Sequence, residues 1–250
     1  MDLVEFVADI AKLALIAAGL YLVLRAVVRR KLPAWAEPVE KRRLLILSGF
    51  VLLVTAIKVI EDVVEGESGV VDDAVLRFVH DHVPDALTGF FEAVTWTGSW
   101  KFLLPLSVAV TLAFAGTRHR FEALLVATSV TAAALVVYVV KAATGRARPA
   151  LWDTEWYWGS SFPSGHTLVV AAFATATVLC IDRIRPASRR IAWALALAWI
   201  VLVAFSRLVL GVHWPTDVLA AACIGAFIPM AVGAAIAVAA HRRAHEPTRR

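Results

Sequence analysis

Six runs of mostly apolar residues, near 44–61, 101–117, 121–141, 166–182, 190–207 and 216–240, constrain this chain more than any other feature. A bilayer core is crossed by a helix of roughly 17 to 25 such residues, because a helix satisfies its own backbone polar groups in lipid. The expected fold is therefore all-α, a polytopic membrane helix bundle with a six-span core. Composition agrees: the chain is 60% hydrophobic with a mean hydropathy of +0.74, whereas a soluble domain is about 45 to 50% apolar. A weaker run covers 6–28. Arg29, Arg30 and Lys31 follow it instead of preceding it, which is not the order of a signal peptide. Asp2, Glu5, Asp9 and Lys12 recur at three- and four-residue intervals, on one helical face, so the segment fits either an extra span or an interfacial helix. The expected organisation is an N-terminal helix and basic linker over 1–43, a membrane core over 44–240 and a basic tail over 241–250.

Cytoplasmic loops are enriched in Lys and Arg. Segments 29–43, 118–120, 183–190 and 241–250 hold sixteen of the 25 basic residues, and alternating the six spans puts all four segments on one side, the expected cytoplasm. The net charge of +5 and pI near 9.6 then read as orientation signals and not as a nucleic-acid surface. The opposite loops, 62–100, 142–165 and 208–215, carry or flank Trp96, Trp100, Trp152, Trp156, Trp158 and Trp214, as an interfacial aromatic belt would. In the first of these loops Val71, Val75, Leu76, Val79 and Val83 fit an apolar face, and Pro84 divides it from a short segment ending at Gly98. One or two helices lying on the outer surface are expected there. Cys180 and Cys223 fall inside spans without metal-ligand spacing and read as packing residues.

Three polar stretches interrupt the apolar pattern, and hydropathy places all of them at the outer ends of spans. KAATGRARP (141–149) leaves the third core span, PSGH (163–166) enters the fourth, and SRLVLGVHWPTD (206–217) joins the fifth to the sixth. Lys141, Arg148 and Arg207 supply cations, and the planar guanidinium fork matches phosphate oxygens. Ser164 suits a helix cap, and Gly165 lets a ligand approach backbone N–H groups at a helix start. Asp217, four residues after His213, can hold one imidazole nitrogen and leave the other as a nucleophile; His166 can protonate a leaving oxygen. Taken singly, each residue has an ordinary explanation: snorkelling anchors for Lys141 and Arg148, a cap for Ser164, a turn residue for Gly165, a structural hydrogen bond for His213 with Asp217, packing for Ser206. Arg146 reads as such an anchor or as a secondary phosphate contact. Gathered on one membrane face, the set points to phosphate chemistry.

These stretches resemble the signature of the type 2 phosphatidic acid phosphatase superfamily: Lys, six residues, Arg-Pro; Pro-Ser-Gly-His; Ser-Arg, five residues, His, three residues, Asp. The chain matches it at Lys141, Arg148-Pro149, Pro163 to His166, Ser206-Arg207, His213 and Asp217 without departure. The resemblance implies a six-span phosphatase core in which His213 attacks phosphorus, Asp217 orients it and His166 donates a proton and later activates water. It assigns the phosphoryl oxygens to Lys141, Arg148, Ser164, Gly165 and Arg207, and requires no metal or other cofactor. The expected substrate is a lipid phosphate at the outer leaflet of a plasma membrane: phosphatidic acid, phosphatidylglycerophosphate, or an isoprenyl phosphate or diphosphate such as undecaprenyl diphosphate. A lipid phosphotransferase would use the same residues. A non-catalytic transporter of anionic lipid would use the cations and leave His213 and Asp217 idle. The remote haloperoxidase alternative is a soluble class, which this composition opposes. Membrane lipids and the substrate are the expected partners, nucleic acid is not, and no oligomeric state follows.

Overall fold

The computed structural model describes residues 3–152 and 159–245, with backbone only at 3–7 and 243–245. Asp2, Trp156, Trp158 and the end of the basic tail (246–250) lie outside the described residues, as does the side chain of Glu5. Among those described, the chain forms ten α-helices and short 3-10 turns, with no strand. The helices are α1 (Leu3–Lys31), α2 (Ala36–Lys41), α3 (Arg43–Glu65), α4 (Gly69–His82), α5 (Thr88–Trp96), α6 (Trp100–Gly116), α7 (Arg120–Thr144), α8 (Gly165–Ile184), α9 (Arg189–Val209) and α10 (Pro215–His245).

Six segments are long and apolar enough to cross a membrane: Ala8–Lys31, Arg43–Glu65, Arg120–Thr144, Gly165–Ile184, Pro186–Val209 and Pro215–Arg242. The protein is thus a multi-pass membrane bundle, as composition predicts, but the set of spans differs from the expected six. The weak first run forms a full helix. The expected span at 101–117 is a helix of 17 residues, which at about 1.5 Å per residue reaches only ~25 Å, short of a ~30 Å hydrocarbon core. Taken together with the Asp85–Trp96 segment across a 41° bend, it is long and apolar enough to count as a bent pair. The break falls at Thr97–Ser99, where the backbone of Ser99 is extended.

Helix α8 is the hub. Its spanning window is 61% buried, against 11–28% in the others. The sequence explains why: Ala171, Ala172, Ala174 and Ala176 with Gly165 make a thin helix that α7, α9 and α10 approach closely. The closest approach is at Gly225 of α10, where a Cβ would stand 2.3 Å from the backbone oxygen of Leu168 and 2.8 Å from Ala171 Cβ. Because α8 and α10 both start at the same end of the bundle, this seam fixes their N-termini side by side.

The outer helices differ in detail from the periodicity reading. On α4 the buried positions are Asp72, Leu76 and Val79, while Val71 and Val75 are exposed. The four-and-three spacing that includes a carboxylate wins over the one built from valines, because the carboxylate has partners beneath it.

Candidate active site

The C-terminal ends of α7 and α9 and the N-terminal ends of α8 and α10 converge. Lys141 sits in the last turn of α7, Arg207 in the last turn of α9, His166 at the start of α8 and Asp217 in the first turn of α10. The chain leaving α7 turns at Gly145 (φ +59°) and is laced to the approach to α8. Ser161 N donates to Arg146 O (2.8 Å), Arg146 N to Ser160 Oγ (2.9 Å), Thr144 Oγ1 to Phe162 O (3.1 Å), and Ser161 Oγ to Ala147 O (3.1 Å). Lys141 Nζ donates to Ser160 O, which aims the ammonium at this loop. The start of α8 is tied directly to α10, since Ser164 N donates to Asp217 O at 3.2 Å.

His213 lies between the α9 and α10 spans with 2% of its surface exposed, and Asp217 is fully buried beside it. Their Nδ1 and Oδ2 are 3.2 Å apart. A carboxylate can only accept, so Nδ1 carries the proton and Nε2 keeps its lone pair. Trp214 N donates to the same Oδ2 at 2.9 Å, which fixes the carboxylate rotamer. Burial pushes the His213 ring down to about 4, with the nearby charges of Arg207 and Arg148 adding to the effect against the opposing hydrogen bond to Asp217. The ring is therefore neutral near pH 7. Facing Nε2 at 3.4 Å is Arg148 Nη1, itself anchored on Val212 O at 2.8 Å. Half-buried His166 lies within electrostatic reach of Arg207, His213, Lys141 and Arg148.

The residues expected from the three stretches are thus drawn into one neighbourhood, with differences in detail at Ser164 and Arg146. Ser164 occupies the N-cap position of α8, yet its side chain makes no cap; Ser164 Oγ pairs with Thr167 Oγ1 at 3.0 Å instead. Gly165 is not demanded by protein packing, as a Cβ there would meet only Val137 Cγ1, at an ordinary 3.4 Å. Arg146 turns inward onto buried carboxylates and not outward as a snorkelling anchor would. Its Nη1 donates to Asp217 Oδ1 (2.6 Å) and Thr216 Oγ1 (2.9 Å), and its Nη2 to Asp72 Oδ2 (2.6 Å) and Ser68 Oγ (3.1 Å). The pull of two buried carboxylates explains the difference: an arginine able to reach them is drawn inward.

The outer helices contribute contacts that sequence reasoning missed. Asp72 of α4 reaches Arg146 and Thr216; Thr95 of α5 accepts from Arg207 Nη1 at 2.5 Å; and Gly98 lies against His166, where a Cβ would stand 3.3 Å from its Cβ and Cδ2. Only the carboxylate inside the apolar stripe of α4 carried a sequence signal for this. Trp152 packs over Gly211 (φ +64°), where a Cβ would come within 2.6 Å of Trp152 Nε1, and His80 stacks on its other face at 3.9 Å. Among the described residues, no group of three or more His, Cys, Asp or Glu is arranged to hold a metal ion.

With this geometry in hand, similarity to known proteins is informative. Residues 122–241 match the PAP2 superfamily. A phosphatidylglycerophosphatase B of Escherichia coli (strain K12) is 41% identical over 73 residues, 29% of this chain and 27% of that protein. An undecaprenyl-diphosphatase of Sulfolobus acidocaldarius is 40% identical over 68 residues, 27% of this chain and 30% of that protein. This chain therefore spans less than a third of the length of either relative. In three dimensions it is similar to the crystal structure of a transmembrane PAP2 type phosphatidylglycerolphosphate phosphatase from Bacillus subtilis, with a TM-score of 0.68 and 22% identity over 81% of this chain and 99% of that one.

Proposed function

From the match of residues 122–241 to the PAP2 superfamily, we propose that the chain is a member of it and hydrolyses lipid phosphates on the extracytoplasmic side of the plasma membrane through a phosphohistidine. The observation that carries the proposal is the His213 arrangement: Nδ1 bound to Asp217 and Nε2 aimed at Arg148 Nη1, 3.4 Å away. A phosphoryl oxygen held by Arg148 stands next to the nucleophilic nitrogen.

In the first step His213 Nε2 attacks phosphorus, the bond from phosphorus to the leaving oxygen breaks, and His166 gives that oxygen its proton. Lys141, Arg148 and Arg207, with the Ser164 hydroxyl and the backbone N–H of Gly165, balance charge on the three equatorial oxygens. In the second step neutral His166 takes a proton from water, the water oxygen bonds to phosphorus, and inorganic phosphate leaves His213. The substrate class, by analogy with the names of the relatives, is phosphatidylglycerophosphate, phosphatidic acid or an isoprenyl phosphate or diphosphate. The outer-face assignment rests on the Lys and Arg excess at the opposite ends of the spans. Residues 44–240 form the proposed catalytic core, with 1–43 as an N-terminal helix of crossing length and a basic cytoplasmic linker, and 241–250 as a basic cytoplasmic tail.

The test is phosphate release by purified protein in EDTA, with phosphatidic acid, phosphatidylglycerophosphate and undecaprenyl diphosphate assayed side by side. Release from at least one lipid, abolished in His213→Ala and weakened in Lys141→Ala, is expected. Binding of these lipids without release refutes catalysis and favours a transporter; transfer of the phosphoryl group to a second lipid in place of water identifies a phosphotransferase.

A further inference from the structure

Asp72 lies on α4, ahead of the residues that match the superfamily, and yet it is fully buried against the start of α10. Each of its oxygens is engaged. Oδ1 accepts from Thr216 N at 2.9 Å; Oδ2 accepts from Thr216 Oγ1 at 2.7 Å and from Arg146 Nη2 at 2.6 Å. Thr216 is the second residue of α10, so Asp72 satisfies one of the N–H groups that a helix start leaves without an intrahelical partner, and it does so from a different helix. Arg146 in turn grips Asp217 Oδ1 at 2.6 Å, while Asp217 Oδ2 is occupied by His213 Nδ1 and Trp214 N.

We infer that Asp72 is a positioning residue for the His213–Asp217 pair, acting through Arg146 and Thr216 to hold the Asp217 carboxylate in the rotamer that keeps His213 Nε2 turned toward Arg148. The inference rests on the phosphatase reading above. Arg146 alone would bring a positive charge onto Asp217 and draw it away from the imidazole; with Asp72 on its other end, the guanidinium is shared between two carboxylates and fixed in place. The plane of the arginine fork sets the geometry, since Nη1 and Nη2 face opposite partners. The outer helix α4 is thereby part of the catalytic apparatus and not only a cover over the bundle.

The test uses the full-length protein in detergent or vesicles and its best lipid from the panel above. Asp72→Asn keeps the shape and removes the charge. It is expected to lower kcat per folded molecule on the order of tenfold with KM within about twofold, alongside a lower Tm because a buried ion pair loses one partner. Arg146→Gln should do the same, and the double variant should be no slower than either single one, because both cut the same path. Thr216→Val, which is uncharged and close in shape, supplies the second arm if Asp72→Asn folds poorly: it should also lower kcat and not KM. Asp73→Asn, which removes only a surface pairing with Arg77, should leave kcat as it is. Native kcat in Asp72→Asn, losses that multiply in the double variant, or a fall in activity that vanishes when rates are expressed per folded molecule would each overturn the inference. An unaltered protein that releases no phosphate would instead refute the phosphatase reading, and positioning is then read directly from 15N-histidine spectra. The His213 resonances, assigned by their loss in His213→Gln, should shift in Asp72→Asn; unmoved resonances overturn the inference.

Discussion

Gly225→Ala adds one methyl group to α10, and the structure says where it must go. The new Cβ would stand 2.3 Å from Leu168 O, 3.1 Å from Leu168 C and 2.8 Å from Ala171 Cβ. Non-bonded carbon atoms sit at about 3.5 to 4.0 Å, so the two helices must part by roughly 1 Å. The obstructing atom cannot swing aside, because it is a backbone oxygen within α8 and not the end of a flexible side chain. Forced insertion of a methyl group into a tight interior costs about 1 to 3 kcal/mol. The better helix propensity of Ala returns up to about 1 kcal/mol, leaving a net loss of up to about 2 kcal/mol at full return. The functional effect should be larger than the stability effect. Gly225 is ten residues beyond Pro215, about 15 Å along the helix, and separating α8 from α10 there tilts the helix starts that carry His166 and Asp217. A displacement of about 1 Å at reacting groups can cost on the order of 100-fold in rate. Thermal unfolding in micelles, paired with phosphate release per folded molecule, measures both. Gly233→Ala in the same helix is the control, because its Cβ would meet only Leu125 Cδ1 at 3.6 Å; it should keep full activity. Native Tm and native kcat in Gly225→Ala would refute the close seam between α8 and α10.

Three further outcomes follow from the histidines. His213 must be neutral to attack, and burial holds its ring at about 4, so the neutral form is present above about pH 4 and is lost as pH falls through it. The acid limb of kcat/KM should lie well below the ordinary histidine value of about 6.5; a limb near 6.5 would mean a solvated ring. The same depression means that the unfolded chain binds a proton that the folded chain does not, so stability should fall as pH drops from about 6.5 toward 4. His166→Ala should slow substrates with poor leaving groups more than those with good ones, measured as the ratio of kcat/KM between a lipid monoester and a lipid diphosphate, since proton donation matters most for the weaker leaving group. An unchanged ratio would count against the acid role.

The helices and the main polar cluster were readable from the sequence because each rests on local information. Apolar runs bound the spans, and Lys141, Arg148, His166, Arg207, His213 and Asp217 sit at helix ends that hydropathy alone puts at one level. What escaped was decided by contacts between distant segments. Nothing near Arg146 in GRARP tells which arginine turns toward Arg148's place and which toward two carboxylates; the deciding partner, Asp72, is on α4. Thr95 and Gly98 read as ordinary loop residues until α5 is packed on α9 beside Arg207 and His166. The run at 101–117 matches helix Trp100–Gly116 in its bounds, but composition does not reveal the 41° bend that sets it off from the Asp85–Trp96 segment.

The same alternation of spans explains how the proposed phosphate site can arise at modest cost in stability. In an antiparallel bundle, the C-terminal end of one helix lies beside the N-terminal end of the next. A helix C-terminus carries partial negative charge and favours a cation in its last turn; an N-terminus carries partial positive charge and presents N–H groups that favour an anion. Lys141 and Arg207 occupy the last turns of α7 and α9, and Asp217 lies in the first turn of α10, so each charge is stabilised locally before any ligand arrives. A phosphate between these ends meets side-chain cations from two helices and the backbone N–H groups of a third. The preference is geometric: moved one turn deeper, Lys141 and Arg207 would lose the helix-end field, and each would become a costlier charge within the membrane. Placement at helix ends thus serves binding and folding at once, and it leaves Asp217, which must face an imidazole and not a cation, as the one group needing outside help. Arg146 and Asp72 are where that help is found.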